Sequence, residues 1–355
     1  MLERIRAEIA ESGPMPFDRF MELALYDPDG GYYTTGALRS ERSGDFLTSP
    51  EVSPLFGSTI ARFVATERER LGEPFTVVEC GAGGGSLLRP LLEALPGVAA
   101  WAVEVSPAAR ERLAAIPGVE VVDRLDRVPG GLRGVVIANE LLDNLPAAVA
   151  IRRDTVWMEE MVTLGEGGLV PVEVPARPEV AAWAARHAGR VPEGARVEVQ
   201  LAAGAWVEQA LSVLEAGTVV AIDYGDDAAG LLSRRTEGTV RTYRGHHLGP
   251  DPLLDPGSAD ITVDVDFGAL ADTARGCGAE VEVITQREFL ECWGLVEVVA
   301  ELRRDELEAA RSGDAMERLR LRSRLTEAET LLHPRGLGDF RVLVARVQVD
   351  GEGVP

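Results

Sequence analysis

Three short stretches carry side chains that could do chemistry together. In the first, Thr76-Val77-Val78-Glu79-Cys80-Gly81-Ala82-Gly83-Gly84-Gly85-Ser86, a β-branched run ends in an acid and then in closely spaced glycines. Glycine lacks the Cβ that would block a ligand, and it takes positive φ without penalty. In the second, residues 101–105, an apolar run holds a single acid, Glu104. A carboxylate about twenty residues beyond a glycine turn, at the end of the next strand, can accept both hydroxyls of a ribose. In the third, Ile137-Ala138-Asn139-Glu140-Leu141-Leu142-Asp143-Asn144-Leu145-Pro146, an apolar strand breaks off in Asn-Glu and an acid follows three residues later.

The first two stretches specify an adenosine-containing cofactor. A dinucleotide fingerprint places a third glycine five residues after the first, where this chain has Ser86. Glu79 beside the turn would repel a pyrophosphate but suits a cation, and S-adenosylmethionine carries an ammonium and a sulfonium with no phosphate. A glycine turn alone occurs in many α/β proteins; with Glu79 and Glu104 it points to S-adenosylmethionine. The candidate cofactor residues are Glu79, Gly81, Gly83, Gly85 and Glu104.

Methyl transfer from a sulfonium is an in-line displacement in which the protein mainly aligns the nucleophile and manages its proton. A guanidinium nucleophile, with its pKa above about 12, needs carboxylates that hold the cation and draw its charge away from the attacking nitrogen. Glu140 and Asp143, with Asn139 beside them, could do this; alternatively Asn139 and Asp143 are turn and cap residues opening a short helix. Asp45, Thr48 and Glu51 cluster in a loop, beginning with Gly44, that either folds over the cofactor or only satisfies its own backbone groups. His246 is a possible base or a surface histidine.

The elements that must position these groups alternate from residue 75 onward. Strands are expected at 75–80, 100–105, 119–122, 134–139, 217–223, 279–284 and 340–348, with helices at 86–95, 107–115, 202–215 and 266–276. A charged helical region, 286 to 332, pairs either with another chain or with itself as a hairpin. The expected fold is α/β: a Rossmann-like, class I methyltransferase sheet of seven strands, with the seventh inserted antiparallel beside the sixth. Residues 1–70 read as an N-terminal cap or lid segment that includes a helix at 58–71, and 71–146 with 201–350 as the core. Residues 147–200 read as an insertion containing a β-hairpin (148–153 with 156–164), a strand near 169–174 and a helix near 179–188. Such an insertion either shapes a substrate pocket or simply elaborates the sheet.

The net charge of −22 over 355 residues argues against nucleic acid as a partner, since gripping phosphates needs a basic face. Either a cationic substrate is steered toward the acids or the acids only keep the protein soluble. No apolar run approaches the roughly 20 residues that span a bilayer. The three cysteines and four histidines show no metal-ligand spacing. The thiols read as buried groups in a reducing cytosol, so a cytoplasmic location is expected.

The stretch Gly44-Asp45-Phe46-Leu47-Thr48-Ser49-Pro50-Glu51-Val52-Ser53-Pro54-Leu55-Phe56-Gly57 resembles the signature loop of the MidA-like methyltransferases. The likeness continues through the glycine turn, the 139–146 motif, Ile222-Asp223-Tyr224-Gly225, 238–246, 260–267 and His333-Pro334-Arg335-Gly336-Leu337-Gly338-Asp339-Phe340. The resemblance implies a class I fold that binds S-adenosylmethionine through Gly81, Gly83 and Glu104, with Asp123 near the adenine and the loop of Asp45 and Thr48 over the methionine end. For the mitochondrial branch it implies a protein acceptor, an arginine on a respiratory complex I subunit. A small-molecule or peptide acceptor, or cofactor binding without turnover, are the other expectations for the same fold.

Overall fold

The computed structural model describes residues 1–35, 48–245 and 247–348. Seven strands form its central sheet: β1 (Thr76–Cys80), β2 (Ala99–Val103), β3 (Val119–Val122), β4 (Leu132–Asn139), β5 (Leu214–Asp223), β6 (Glu280–Thr285) and β7 (Arg341–Val347). Their spatial order is β6-β7-β5-β4-β1-β2-β3. Strands β1 to β5 run parallel, and β7 lies antiparallel between β5 and β6. The chain leaves β1 in one direction through β2 and β3, then returns to β4 and moves in the other. That reversal opens a crevice at the carboxyl ends of β1 and β4, where ligands of open α/β sheets bind.

The central strands are apolar along their length because helices cover both faces. One face packs Val77, Val135, Ile137 and Val220 against helices Pro54–Leu71 and Leu295–Ser312. The other packs Val78, Val136 and Val219 against helices Leu201–Ser212 and Phe267–Gly276. Helices Leu295–Ser312 and Ala315–Leu331 form an intramolecular hairpin whose Leu302, Leu321 and Ala328 join the first of these clusters. Among the described residues no helix is long and apolar enough to cross a membrane. Cys80 is buried as expected, whereas Cys277 and Cys292 are exposed, because they fall at the outer ends of surface helices.

The insertion contains strands Ala148–Arg153, Val156–Gly165 and Gly168–Pro175, helix Pro178–His187, and a further strand, Arg196–Val199, that the sequence pattern did not reveal. Its sheet also takes in Met15–Pro16, paired antiparallel with Met161 and Val162. Ile5, Ile9, Phe17, Phe20 and Met21 share one apolar cluster with Val149 and Val162. Arg177 bridges Glu159 of the insertion and Asp18 at 2.7 and 2.8 Å. The insertion thus serves as the platform on which helix Phe17–Tyr26 is laid against the core.

Helix Pro54–Leu71 begins with proline in its first turn, with Ser53 Oγ accepting the Leu55 N–H at 3.3 Å, and stops at Gly72, φ +72°. Gly57 lets this helix close on the segment that follows the glycine turn: a Cβ there would lie 2.5 Å from Pro90 Cγ and 2.9 Å from the Leu87 carbonyl oxygen. Alanine ordinarily gains about 1 kcal/mol over glycine inside a helix, but neither a proline ring nor a backbone carbonyl can swing aside. Gly57→Ala is therefore expected to destabilise the protein by about 1–3 kcal/mol, read as a lowered Tm; an unchanged or raised Tm would show that the two segments are not closely packed.

Candidate active site

A cavity of about 540 Å³ occupies the crevice at the carboxyl ends of β1 to β4. Each strand delivers one part of its wall. From β1 come Glu79 and the turn Gly81–Gly84, from beyond β2 come Glu104, Val105 and Ser106, from beyond β3 come Asp123 to Asp126, and from β4 come Asn139 and Glu140. Gly81 and Gly83 take φ of +70° and +51°, and a Cβ on Gly81 would press on Leu141 at 3.1 Å. Only glycine combines that backbone with that clearance.

The carboxylates differ in what holds them. Glu104 accepts the Gly83 N–H at 2.8 Å with one oxygen and the Ser106 N–H at 2.7 Å with the other, which ties the glycine turn to the second strand end. A carboxylate offers about four lone-pair sites, so ribose hydroxyls could still be accepted beside the backbone N–H groups. Burial pushes Glu104 above the usual carboxylate range, opposed by those N–H groups. Glu79 is buried, and its Oε2 has no partner among the described residues. Burial, and then the neighbouring Glu104 charge, hold its carboxyl well above the ordinary range. An orphaned acidic oxygen on a lining residue fits a cationic ligand group, and together with the glycine cradle and Glu104 it fits S-adenosylmethionine.

Glu140 has φ +52°, a left-handed backbone that few non-glycine residues adopt. Its N–H still donates to the Ile222 carbonyl at 2.8 Å, so the ladder to β5 runs one bond past the strand. Glu140 Oε1 accepts the Ser49 N–H at 2.8 Å and the Asn139 amide at 3.1 Å. Burial raises its pKa to about 8, with Asp143 adding to the effect and the Ser49 N–H opposing it. Asn139 Oδ1 is buried without a partner on the same wall.

Thr48, Glu79, Gly81, Gly83, Glu104, Asp123, Asn139 and Glu140 therefore meet at one cavity. Two other sequence candidates do not reach it. Gly85 turns away, and a Cβ there would strike Ile116 Cδ1 at 2.9 Å, so its role is to pack the turn against helix Pro107–Leu113. Asp143 lies behind the wall in a 3-10 turn, Leu142–Asn144, where its Oδ2 accepts the Tyr224 hydroxyl at 2.7 Å and burial raises its pKa to about 7. Gly44, Asp45 and His246 lie outside the described residues.

Several lining residues were not singled out from the sequence: Glu22, Tyr26, Tyr33, Trp206 and Gln209, whereas Glu51 joins Thr48 from the expected loop cluster. The signal for the tyrosines was an aromatic at each end of the turn-rich stretch 26–33; Trp206 and Gln209 sit on a core helix with nothing local to mark them. Among the described residues the wall holds seven carboxylates and one arginine, Arg124. It skips 147–200 altogether, passing from Pro146 to Ala202, so the insertion shapes the cavity only through what it supports.

Sheet order, crevice and cofactor cradle define a class I S-adenosylmethionine-dependent methyltransferase. Residues 59–285 match the model of an S-adenosyl-L-methionine-dependent methyltransferase family, and the chain belongs to it. The mitochondrial protein arginine methyltransferases NDUFAF7 of Danio rerio and Homo sapiens are each 28% identical to it, over 83% of this chain and 76% and 73% of their own. A solved structure from Burkholderia thailandensis, bound to S-adenosylhomocysteine, is 33% identical with a TM-score of 0.85, covering 99% of this chain and 92% of that one. These likenesses agree with the MidA-like resemblance read from the sequence motifs.

Glu104→Gln keeps the shape and one acceptor but removes the charge. Losing a charge-assisted bond of about 1.5–3 kcal/mol should weaken S-adenosylmethionine binding by roughly tenfold or more, measured by titration calorimetry. Unchanged affinity would remove Glu104 from the cofactor site. Glu140 gives a stability expectation. Its folded pKa of about 8 exceeds the ordinary 4.5, so the folded state holds the proton more tightly than the unfolded chain. That contribution is complete below the unfolded pKa and is lost as pH rises through about 8. Glu140→Gln, which keeps an acceptor for Ser49, should thus match the wild-type Tm at pH 5 and exceed it at pH 9; equal Tm values at both pH values would refute the burial argument.

Proposed function

We propose that the protein is a protein arginine N-methyltransferase. The observation that carries this reading is Glu140: a carboxylate held on a strained backbone at the strand end, with Oε1 fixed by Ser49 and Asn139 and Oε2 in none of those bonds. Backbone strain of this kind persists where surrounding structure enforces it, and it concentrates at functional sites. The excess of acids on the wall and the arginine methyltransferase activity of the mitochondrial relatives support a cationic acceptor.

When bound, the cofactor supplies a methyl carbon activated by its positive sulfur, which leaves as a neutral thioether when the bond to nitrogen forms. Glu79 would take the cationic methionine end and Glu104 the ribose, with Asp123 near the adenine and Thr48 closing the methionine side. Ionised Glu140 would pair with the guanidinium and localise its charge on the nitrogens that do not attack. After transfer the methylated nitrogen sheds one proton, and a carboxyl with pKa of about 8 can receive it. Asp143, fixed by Tyr224, would add negative potential from behind the wall. The resemblance to the mitochondrial branch makes a respiratory complex I subunit the first protein acceptor to test.

The test is transfer of labelled methyl from S-adenosylmethionine into lysate protein, with acid hydrolysis to recover methylarginine. Glu140→Gln should lower transfer by about 10²-fold or more while cofactor affinity stays intact. In the wild type, kcat/KM should rise with pH toward about 8, as Glu140 ionises, and then level; the variant should lose that limb. Label recovered only in small molecules would replace this reading with a metabolite methyltransferase.

A further inference from the structure

The N-terminal segment lines the cavity with two aromatic side chains, Tyr26 and Tyr33, beside Glu22, Thr48, Pro50 and Glu51. Tyr26, at the end of helix Phe17–Tyr26, and Tyr33 stack with ring centroids 5.8 Å apart and planes 21° from parallel. Tyr32 braces Tyr33 edge-on from behind, at 5.0 Å and 82°. The two hydroxyls are engaged by the protein itself: Tyr26 donates to the Asn144 carbonyl at 3.1 Å, and the Tyr33 hydroxyl lies 3.0 Å from Asn144 Oδ1 and 2.9 Å from Asp260 Oδ1. What the pair leaves to the cavity is ring surface. The same cavity holds Glu140 and the unpartnered Asn139 Oδ1. Asn144 belongs to the loop that follows Glu140, so ring wall and carboxylate are fixed to one another.

A flat cation fits this combination. A guanidinium can lie against a ring while its edge N–H groups reach a carboxylate and an amide oxygen, whereas an ammonium is a compact, strongly hydrated charge with no plane to stack. We propose that Tyr26 and Tyr33 form a stacking wall of an acceptor subsite that takes a guanidinium in preference to an ammonium, with Asn139 Oδ1 and Glu140 receiving its N–H groups. This rests on the arginine reading above and deepens it by assigning the discrimination of arginine from lysine to the N-terminal segment.

The probes are N-acetyl-arginine methylamide and N-acetyl-lysine methylamide, titrated into the full chain loaded with S-adenosylhomocysteine, so that binding is read without turnover. The wild type should bind the arginine probe at least tenfold more tightly than the lysine probe. Tyr26→Leu should weaken the arginine probe by about tenfold, the size of a partly desolvated cation–π contact, and leave S-adenosylhomocysteine affinity unchanged. Tyr26→Phe unties the same Asn144 carbonyl but keeps the ring, so it should bind the arginine probe like wild type and serves as the folding control. Equal binding of the two probes, or equal losses in the leucine and phenylalanine variants, would overturn the stacking wall. If the arginine probe binds as expected but no methylarginine forms in the lysate assay, the subsite stands and the arginine methyltransferase reading fails. If methylarginine forms and Tyr26→Leu has normal affinity and KM, that reading stands and the wall is wrong.

Discussion

The strand β4 has to end at Asn139, and the backbone of Glu140 is what makes it end. A left-handed conformation at a residue with a Cβ costs about 1–2 kcal/mol, and here it is enforced from several sides. The Glu140 N–H is still in register with β5 through Ile222, and its side chain accepts from Ser49 and Asn139. Immediately beyond, the Asp223 carboxylate at the end of β5 accepts the N–H groups of Leu142 and Asp143 at 2.9 and 3.2 Å. Ser49 in turn places its hydroxyl 3.2 Å from Gln286 Oε1, at the start of the helical region before β7. One constrained residue therefore gathers two strand ends, the segment before helix Pro54–Leu71 and the far edge of the fold.

The electrostatics follow from that geometry. Carboxylates crowded at the ends of parallel strands are desolvated and repel one another, which raises the pKa values of Glu79, Glu104 and Glu140. A cation placed among them would favour their ionised forms. Backbone N–H groups from Gly83, Ser106 and Ser49 hold the acids in place meanwhile. A phosphate would find no matching arrangement here, since Arg124 is the one basic side chain among the described lining residues.

Much of the core was legible because its signals are local. Each strand of the sheet is a short apolar run with a turn after it, and the acids Glu79, Glu104 and Glu140 stand where such runs stop. The strand Arg196–Val199 escaped because Arg196-Val197-Glu198-Val199 is too short to set a period and is held by pairing with Ala148–Arg153. Tyr26 and Tyr33 could be read as turn-flanking aromatics, but their meeting with Asn144 and Asp260 joins positions more than a hundred residues apart. Gly85 and Asp143 show the opposite case: motif spacing put them with their neighbours, and a turn of the backbone carried both off the cavity wall.

The position of β7 bears on how the chain is made. It is the last of the seven strands in sequence, yet it lies between β5 and β6, and among the described residues β6 has no other partner in the sheet. On a ribosome, β5 would emerge with an open edge, and β6 would have nothing to pair with until residues 341–347 had been synthesised. Exposed strand edges recruit unwanted partners, and pairing across more than a hundred residues is slow. The long helices between β6 and β7 can form by themselves in the interval, but their apolar faces have no finished sheet to cover. Nascent chains of this topology therefore stay open to edge pairing, and to chaperones that mask such edges, until β7 has been made.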